Sequence, residues 1–199
     1  MNMDNEEFKA WLNDFSAVRL PLWNEFPDFE LYMDQLVNLG NRYLEKLLES
    51  EITPSMINSY VKKGLMQRPA KKKYAPPANV AELVVISLLK SIYPLETIKS
   101  GLQQALKTDS VAESYNYFAE LFNHTISLVD EDKAMLNFSY EDNLMKLTEQ
   151  FAIHSLIYKL IGQKLVEIQL TSKNKLKLAP PICVLIAFLV FYNWCIKCR

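Results

Sequence analysis

The chain has 199 residues, half of them hydrophobic, with a mean hydropathy of −0.04 and a formal net charge of −1. That much apolar material excludes wholesale disorder, and only four glycines punctuate it, which favours a helical protein. The three cysteines, Cys183, Cys195 and Cys198, are odd in number and crowded near the end, so they do not describe a disulfide framework.

The net charge conceals an asymmetry. Residues 1–50 carry a net −6, residues 51–110 a net +5 and residues 111–199 none. A positive segment inside a neutral chain marks a local face for a polyanion. The opening MNMDNEEFKAW is acidic and lacks an apolar stretch, unlike a secretory signal or a transit peptide. A reducing cytoplasm is the expected home of most of the chain.

Between Phe8 and Glu30, aromatics mix with turn residues, and Pro21 and Pro27 interrupt any regular element. Trp11, Phe15, Trp23 and Phe26 are expected to fold back onto the core. A long helix is predicted from about Asp28 or Leu31 to Leu48, because Leu31, Leu36, Leu39, Tyr43, Leu44 and Leu47 recur at helical spacing. The next helix has marked ends. Thr53 suits the N-cap, Pro54 the first helical position and Gly64 the left-handed residue past the end, so the helix should run from Pro54 to Lys63. Ser55, Asn58, Ser59 and Lys62 share one side of it; Ile57, Tyr60 and Val61 share the other.

Leu65 to Tyr74 is too basic and too Pro-interrupted for helix and is predicted as a loop or small β-ribbon. Asn79 with Glu82 resembles a capping box, opening the helix VAELVVISLLKSI, which is apolar nearly all round and belongs at the centre of the core. Pro94 begins a helix with the stripe Leu95, Ile98, Leu102 and Leu106. Another is predicted near Val111 to Leu128, followed by a turn at VDEDK. Ser139 and Asp142 are candidate caps for a last helix running to about Leu170. Along it Leu144, Leu147, Phe151, His154, Tyr158, Ile161, Leu165 and Ile168 step by three and four, a heptad seam suited to a second copy of the chain. A separate stripe, Ile153, Leu156, Ile157 and Leu160, should pack on the helix's own domain.

Leu178 to Ile196 contains no charge. As a helix it would be about 28 Å long, near the thickness of a bilayer's hydrocarbon core. It is read as a candidate single-pass anchor at the cell membrane. The competing reading is a core segment, since Pro180 and Pro181 shorten the apolar run to Ile182–Tyr192.

Ile52 to Tyr74 holds six Lys or Arg residues and no Asp or Glu. The order helix, short link, short polar-faced helix, basic loop and buried helix is that of a helix-turn-helix with a basic wing. A duplex major groove admits one α-helix whose first turns reach base edges. Thr53, Ser55, Asn58, Ser59 and Lys62 are therefore the candidate groove-facing residues, with Asn58 suited to adenine. Lys63, Arg68, Lys71, Lys72, Lys73 and Tyr74 are the candidates for holding the phosphate backbone.

These segments resemble known families. Tyr60, Lys63-Gly64-Leu65, Tyr74, Leu83, Ile86, Leu89 and Leu95-Glu96-Thr97-Ile98-Lys99 are similar to the DNA-binding domain of MerR-type regulators. A closer similarity is to the YkrK-like bacterial proteins of unknown function, through RLPLWNEFPDFELYMDQL (Arg19 to Leu36), ITPSMINSYVKKGLM and KKKY (Lys71 to Tyr74). The resemblance covers about residues 8–106 and implies a bacterial regulator. The chain departs from the MerR pattern in its triple lysine, where Gly and paired Arg are usual. It also has no cysteine beside the predicted dimer helix, so a metal-sensing role is not carried over.

No Gly-rich phosphate loop, zinc-protease helix or nucleophile elbow is present, and Cys195 with Cys198 form only a lone C-x-x-C. No enzyme activity, cofactor or metal is expected. The sequence thus reads as all-α (mainly helical). A MerR-like winged helix-turn-helix domain would occupy residues 1–109, a helical dimerisation and regulatory region 110–172, and an apolar tail 173–199. The expected function is a dimeric regulator binding double-stranded DNA, with a membrane tether as a candidate feature. The alternative is a non-catalytic interaction module at a membrane surface, using the same fold.

Overall fold

In the computed structural model, residues 3–107, 109–129 and 144–178 are described. They are mainly helical. Seven α-helices follow in order: α1 (Met3–Ser16), α2 (Met33–Leu44), α3 (Pro54–Lys62), α4 (Ala78–Leu89), α5 (Leu95–Ala105), α6 (Val111–Ser127) and α7 (Leu144–Leu178). A 3-10 turn, Trp23–Glu25, precedes α2. Two compact units result, Ala10–Ile161 and Met1–Lys9 with Gly162–Arg199. In the smaller, Lys9 pairs with Glu6 at 3.9 Å and Lys164 with Glu167 at 3.1 Å, while Ile168 is buried.

The larger unit is built around α4. From Val80 to Leu88, every residue of α4 but Glu82 is buried, so this helix is wrapped on all sides, as its unbroken apolar run requires. Helix α2 buries Leu36, Gly40 and Leu44, one residue per turn along a single ridge. A Cβ at Gly40 would lie 2.9 Å from both Ile52 Cδ1 and Leu83 Cδ2. Glycine is therefore what lets α2 approach α4 so closely. Helix α6 contributes Tyr115, Phe118, Phe122 and Ile126, and α7 contributes Ile153, Leu156 and Ile157, all in the same core cluster as α4. Each of the three α7 side chains, at 0–1 % exposure, contributes about 2 kcal/mol by leaving water. This packing crosses the boundary expected at residue 109. The first half of α7 and all of α6 belong to the same body as α2–α5.

Several predicted elements shift. Residues 3–16 form a helix where only apolar anchors were expected. Phe15 and Phe26 are buried anchors; Trp11 and Trp23 pack on the core more loosely, and Trp11 stacks on Phe15 at 4.6 Å. Helix α2 begins at Met33 rather than Asp28 or Leu31, because the Leu31 backbone is used elsewhere: its N–H donates to Tyr74 O at 3.0 Å and its carbonyl accepts from Tyr74 N at 2.8 Å. The Asn79–Glu82 capping box does not form. Helix α4 starts at Ala78, and Asn79 lies inside its first turn. Leu106, expected on the buried stripe of α5, is 47 % exposed. Ser139, Asp142 and Leu178–Ile196 beyond Leu178 lie outside the described residues. Among the described residues, no helix is long and apolar enough to cross a membrane.

The stretch from Leu20 to Leu22, ahead of the 3-10 turn, has no regular element of its own, yet α6 bonds much of the backbone there. Asn123 on α6 accepts from Leu20 N at 2.7 Å and donates to Leu20 O at 2.9 Å. Asn116 accepts from Trp23 N at 2.9 Å, and the Tyr115 hydroxyl donates to Pro21 O at 2.7 Å. Three side chains of one helix thus take the place of a neighbouring strand.

Candidate nucleic-acid interface

Helix α3 is positioned from both ends. Before it, Asn41 on α2 accepts from Ile52 N at 2.6 Å and donates to Ile52 O at 3.1 Å, fixing the link from α2. The Thr53 hydroxyl then accepts from Met56 N at 3.3 Å, and Pro54 follows as the first helical residue. After it, Gly64 takes φ +68°. Leu65 N donates to Tyr60 O at 2.9 Å and Gly64 N to Val61 O at 3.1 Å, the paired bonds of a Schellman cap. Lys99 on α5 adds a charged donor: its Nζ bonds the Lys63 carbonyl at 2.8 Å, where the helix dipole is negative.

The faces of α3 divide as the spacing requires. Ile57 and Tyr60 are buried at 0 and 3 % exposure. Ser55, Asn58 and Lys62 are exposed, and Ser59 is half-buried. Burial pushes the Tyr60 hydroxyl upward, and Ser87 beside it partly offsets the effect.

The basic segment behind α3 is a tight hairpin. Ala70 and Lys73 exchange two backbone hydrogen bonds, each 2.9 Å, around Lys71 and Lys72. Both central residues have positive φ, 49° and 68°, the signature of a type I′ turn. The base of the hairpin is clamped to α4. Asn79 Oδ1 accepts from Ala75 N at 2.8 Å, and its amide donates to Gln67 O at 3.3 Å and to Glu82 at 3.0 Å. Glu82 in turn accepts from Gln67 N at 3.0 Å. Burial raises the Glu82 carboxyl above its ordinary value, and these bonds from Gln67 and Asn79 act against that rise.

The predicted contact residues separate into two groups. Lys62, Lys63, Arg68, Lys71 and Lys72 are exposed and make no ion pair with a described residue. Lys73 and Tyr74 differ from that expectation. Lys73 pairs with Glu30 at 2.9 Å and lies 5.7 Å from the Tyr32 ring centre, so one positive charge is already answered. Its ammonium is held above its ordinary range by Glu30. Tyr74 is 2 % exposed. Its ring belongs to the core and its backbone pairs with Leu31, so it holds the hairpin rather than reaching outward.

Sequence reasoning did not single out the supports: Asn41, Lys99, Glu30, and Asn79 with Glu82 as a hairpin clamp. Asn79 and Glu82 carried a signal, their spacing of three, but of a different motif, and Lys99 entered only as part of the MerR-like Leu95–Lys99 segment. His154 makes a local contact, its Nδ1 2.7 Å from Gln150 O, and His124 is exposed. Among the described residues, no group of His, Cys, Asp and Glu could hold a metal ion.

No curated protein and no solved structure matches the chain. One family does, across the body just described: the match begins beside the Leu20 clamp and ends one residue past Asn123, which closes it. It spans residues 21–124, more than half of the chain, and the protein belongs to the family described as domain of unknown function DUF1836.

Proposed function

We propose that this protein is a DNA-binding transcriptional regulator of MerR-like type, with α2 and α3 as its helix-turn-helix and the basic hairpin as its wing. One observation carries the reading. The helix that exposes Ser55, Asn58 and Lys62 is joined by four residues to a hairpin whose Arg68, Lys71 and Lys72 make no ion pair with a described residue; the hairpin is bonded to α4, and the helix buries Ile57 and Tyr60 in the same core. Ser55, Asn58, Ser59 and Lys62 face the groove; Thr53 caps the helix that carries them. Lys63, Arg68, Lys71 and Lys72 hold the phosphates, where they set register without reading sequence. Lys73 and Tyr74 fix the wing. No catalytic step is assigned to the chain.

The regulator works as a homodimer through α7. Leu144, Phe151 and Tyr158 recur every seven residues and are 82, 44 and 45 % exposed, which leaves a seam for a second helix. In the sequence the same step continues to Leu165.

Fluorescence anisotropy against DNA from upstream of the gene tests the reading. With four phosphates neutralised, the logarithm of the binding constant falls with that of the salt concentration at a slope of about −3.6. Asn58→Ala should lower discrimination between sequences and leave that slope unchanged. Lack of a salt-sensitive complex, or one indifferent to alanine at Lys71 and Lys72, refutes the proposal. Capture of the chain by anionic vesicles in place of DNA would support the membrane-surface module instead.

A further inference from the structure

A cavity of about 470 Å³ lies within the larger unit, among α4, α5, α6 and the first turns of α7, and reaches the Gly64–Gln67 link. Its walls are mostly apolar, with Leu65, Met66, Val85, Leu102, Phe118 and Met145 among them. That size and character are usual for sites that take a small organic molecule.

Its polar groups are unevenly engaged. Lys99 is held by the Lys63 carbonyl, Glu82 by Gln67 and Asn79, and the Tyr115 hydroxyl by Pro21. Two further groups of the lining differ from these. Ser114 Oγ is buried and has no hydrogen-bond partner. Glu149 on α7 makes no hydrogen bond or ion pair with a described residue, although Lys146 on the same helix acts on it at longer range. Burial first, and then the Asp109 charge, push the Glu149 carboxyl up to about 7, with Lys146 opposing. An unpaired carboxylate in an apolar pocket is costly, and a cation placed beside it removes that cost.

We propose that this cavity binds a small molecule with an apolar body and a single amino group, the body between α4, α5 and α6 and the amine against Glu149 and Ser114. The carboxylate selects the ammonium over a neutral head and repels an anionic one. Resting on the regulator reading, the site is an effector site, because the Gly64–Gln67 link in its wall also joins α3 to the wing.

Three probes that differ only in their head group isolate the chemistry: decylamine, decanol and decanoate. Each is titrated calorimetrically into the full chain, at concentrations below micelle formation. Decylamine should bind at least tenfold more tightly than decanol, and decanoate more weakly than either. Glu149→Gln should bring decylamine to the level of decanol and leave decanol unchanged, which also shows the variant folded. Ser114→Ala should weaken decylamine by a smaller factor. No saturable binding of any probe overturns the proposal, as does a head-group ranking that Glu149→Gln leaves intact. DNA is absent from this measurement, so a chain that fails to bind DNA can still pass it, and one that binds DNA can fail it.

Discussion

Replacing Lys71 and Lys72 by Asn and Gly sets stability against DNA affinity in a single variant. At φ 49° and 68° both lysines occupy the left-handed region, which costs a residue with a Cβ roughly 1–2 kcal/mol. Asn-Gly is the pair such a turn favours, because asparagine tolerates that region and glycine is indifferent to it. Against the relief stands the greater freedom of glycine in the unfolded chain, worth about 0.5–1 kcal/mol. The double variant should therefore be more stable by about 1 kcal/mol, or about 2–4 °C in Tm for a unit of this size. Thermal denaturation followed by circular dichroism at fixed pH reads this directly. The same change removes two unpaired cations from the wing tip, so the salt slope of DNA binding should become shallower by about 1.8. A variant with a lower Tm would show that the turn is not left-handed at both positions. One that gains stability and keeps the original slope would place the tip away from the phosphates.

Three further outcomes are expected. Asn123→Ala leaves the Leu20 N–H and carbonyl without partners 103 positions away in sequence, and should cost about 2–3 kcal/mol in urea denaturation with an unchanged m value. Tyr60→Phe combined with Ser87→Ala removes two buried hydroxyls that make no hydrogen bond with a described residue, so the double variant should be neutral or stabilising by about 1 kcal/mol. Glu149, raised from 4.5 to about 7, binds its proton more tightly in the folded chain than in the unfolded one. Its contribution is complete below pH 4.5 and is lost as pH rises through 7, so Glu149→Gln should flatten that part of the stability profile, with a gain at pH 8 on the order of 1 kcal/mol after screening by solvent.

What could be read in the sequence was local. Thr53, Pro54 and Gly64 bracket α3 within twelve residues, and each acts on backbone groups within a turn of itself, so the ends of that helix were legible to within one residue. The inward stripe of α7 was legible for the same reason: Ile153, Leu156 and Ile157 are buried while Phe151 and Tyr158 are not, but the outward seam holds only in part, since Ile161 packs on the core and Ile168 is buried. Asn79 and Glu82 show the limit of this logic. Their spacing suits a cap, but the bonds they make run to Gln67 and Ala75 in the hairpin, which no pattern within α4 announces. The Leu20–Asn123 clamp lies further still from any local rule. A polar residue on a mostly apolar helix face reads equally as a solvent contact or as the partner of a distant backbone. The charge run was visible as composition, but its division into five cations with no ion pair to a described residue and one answered by Glu30 depended on where residues 28–32 pass.

The double hydrogen bond between Leu31 and Tyr74 makes the aim of the wing a property of a segment more than forty positions upstream. Substitutions at Phe29, Glu30 or Tyr32 can therefore tilt the lysine-bearing tip while every residue of α3 stays where it is. Divergence among relatives has in that segment an adjustable hinge: on the proposed reading, preference for groove width could drift there independently of the side chains assigned to the bases.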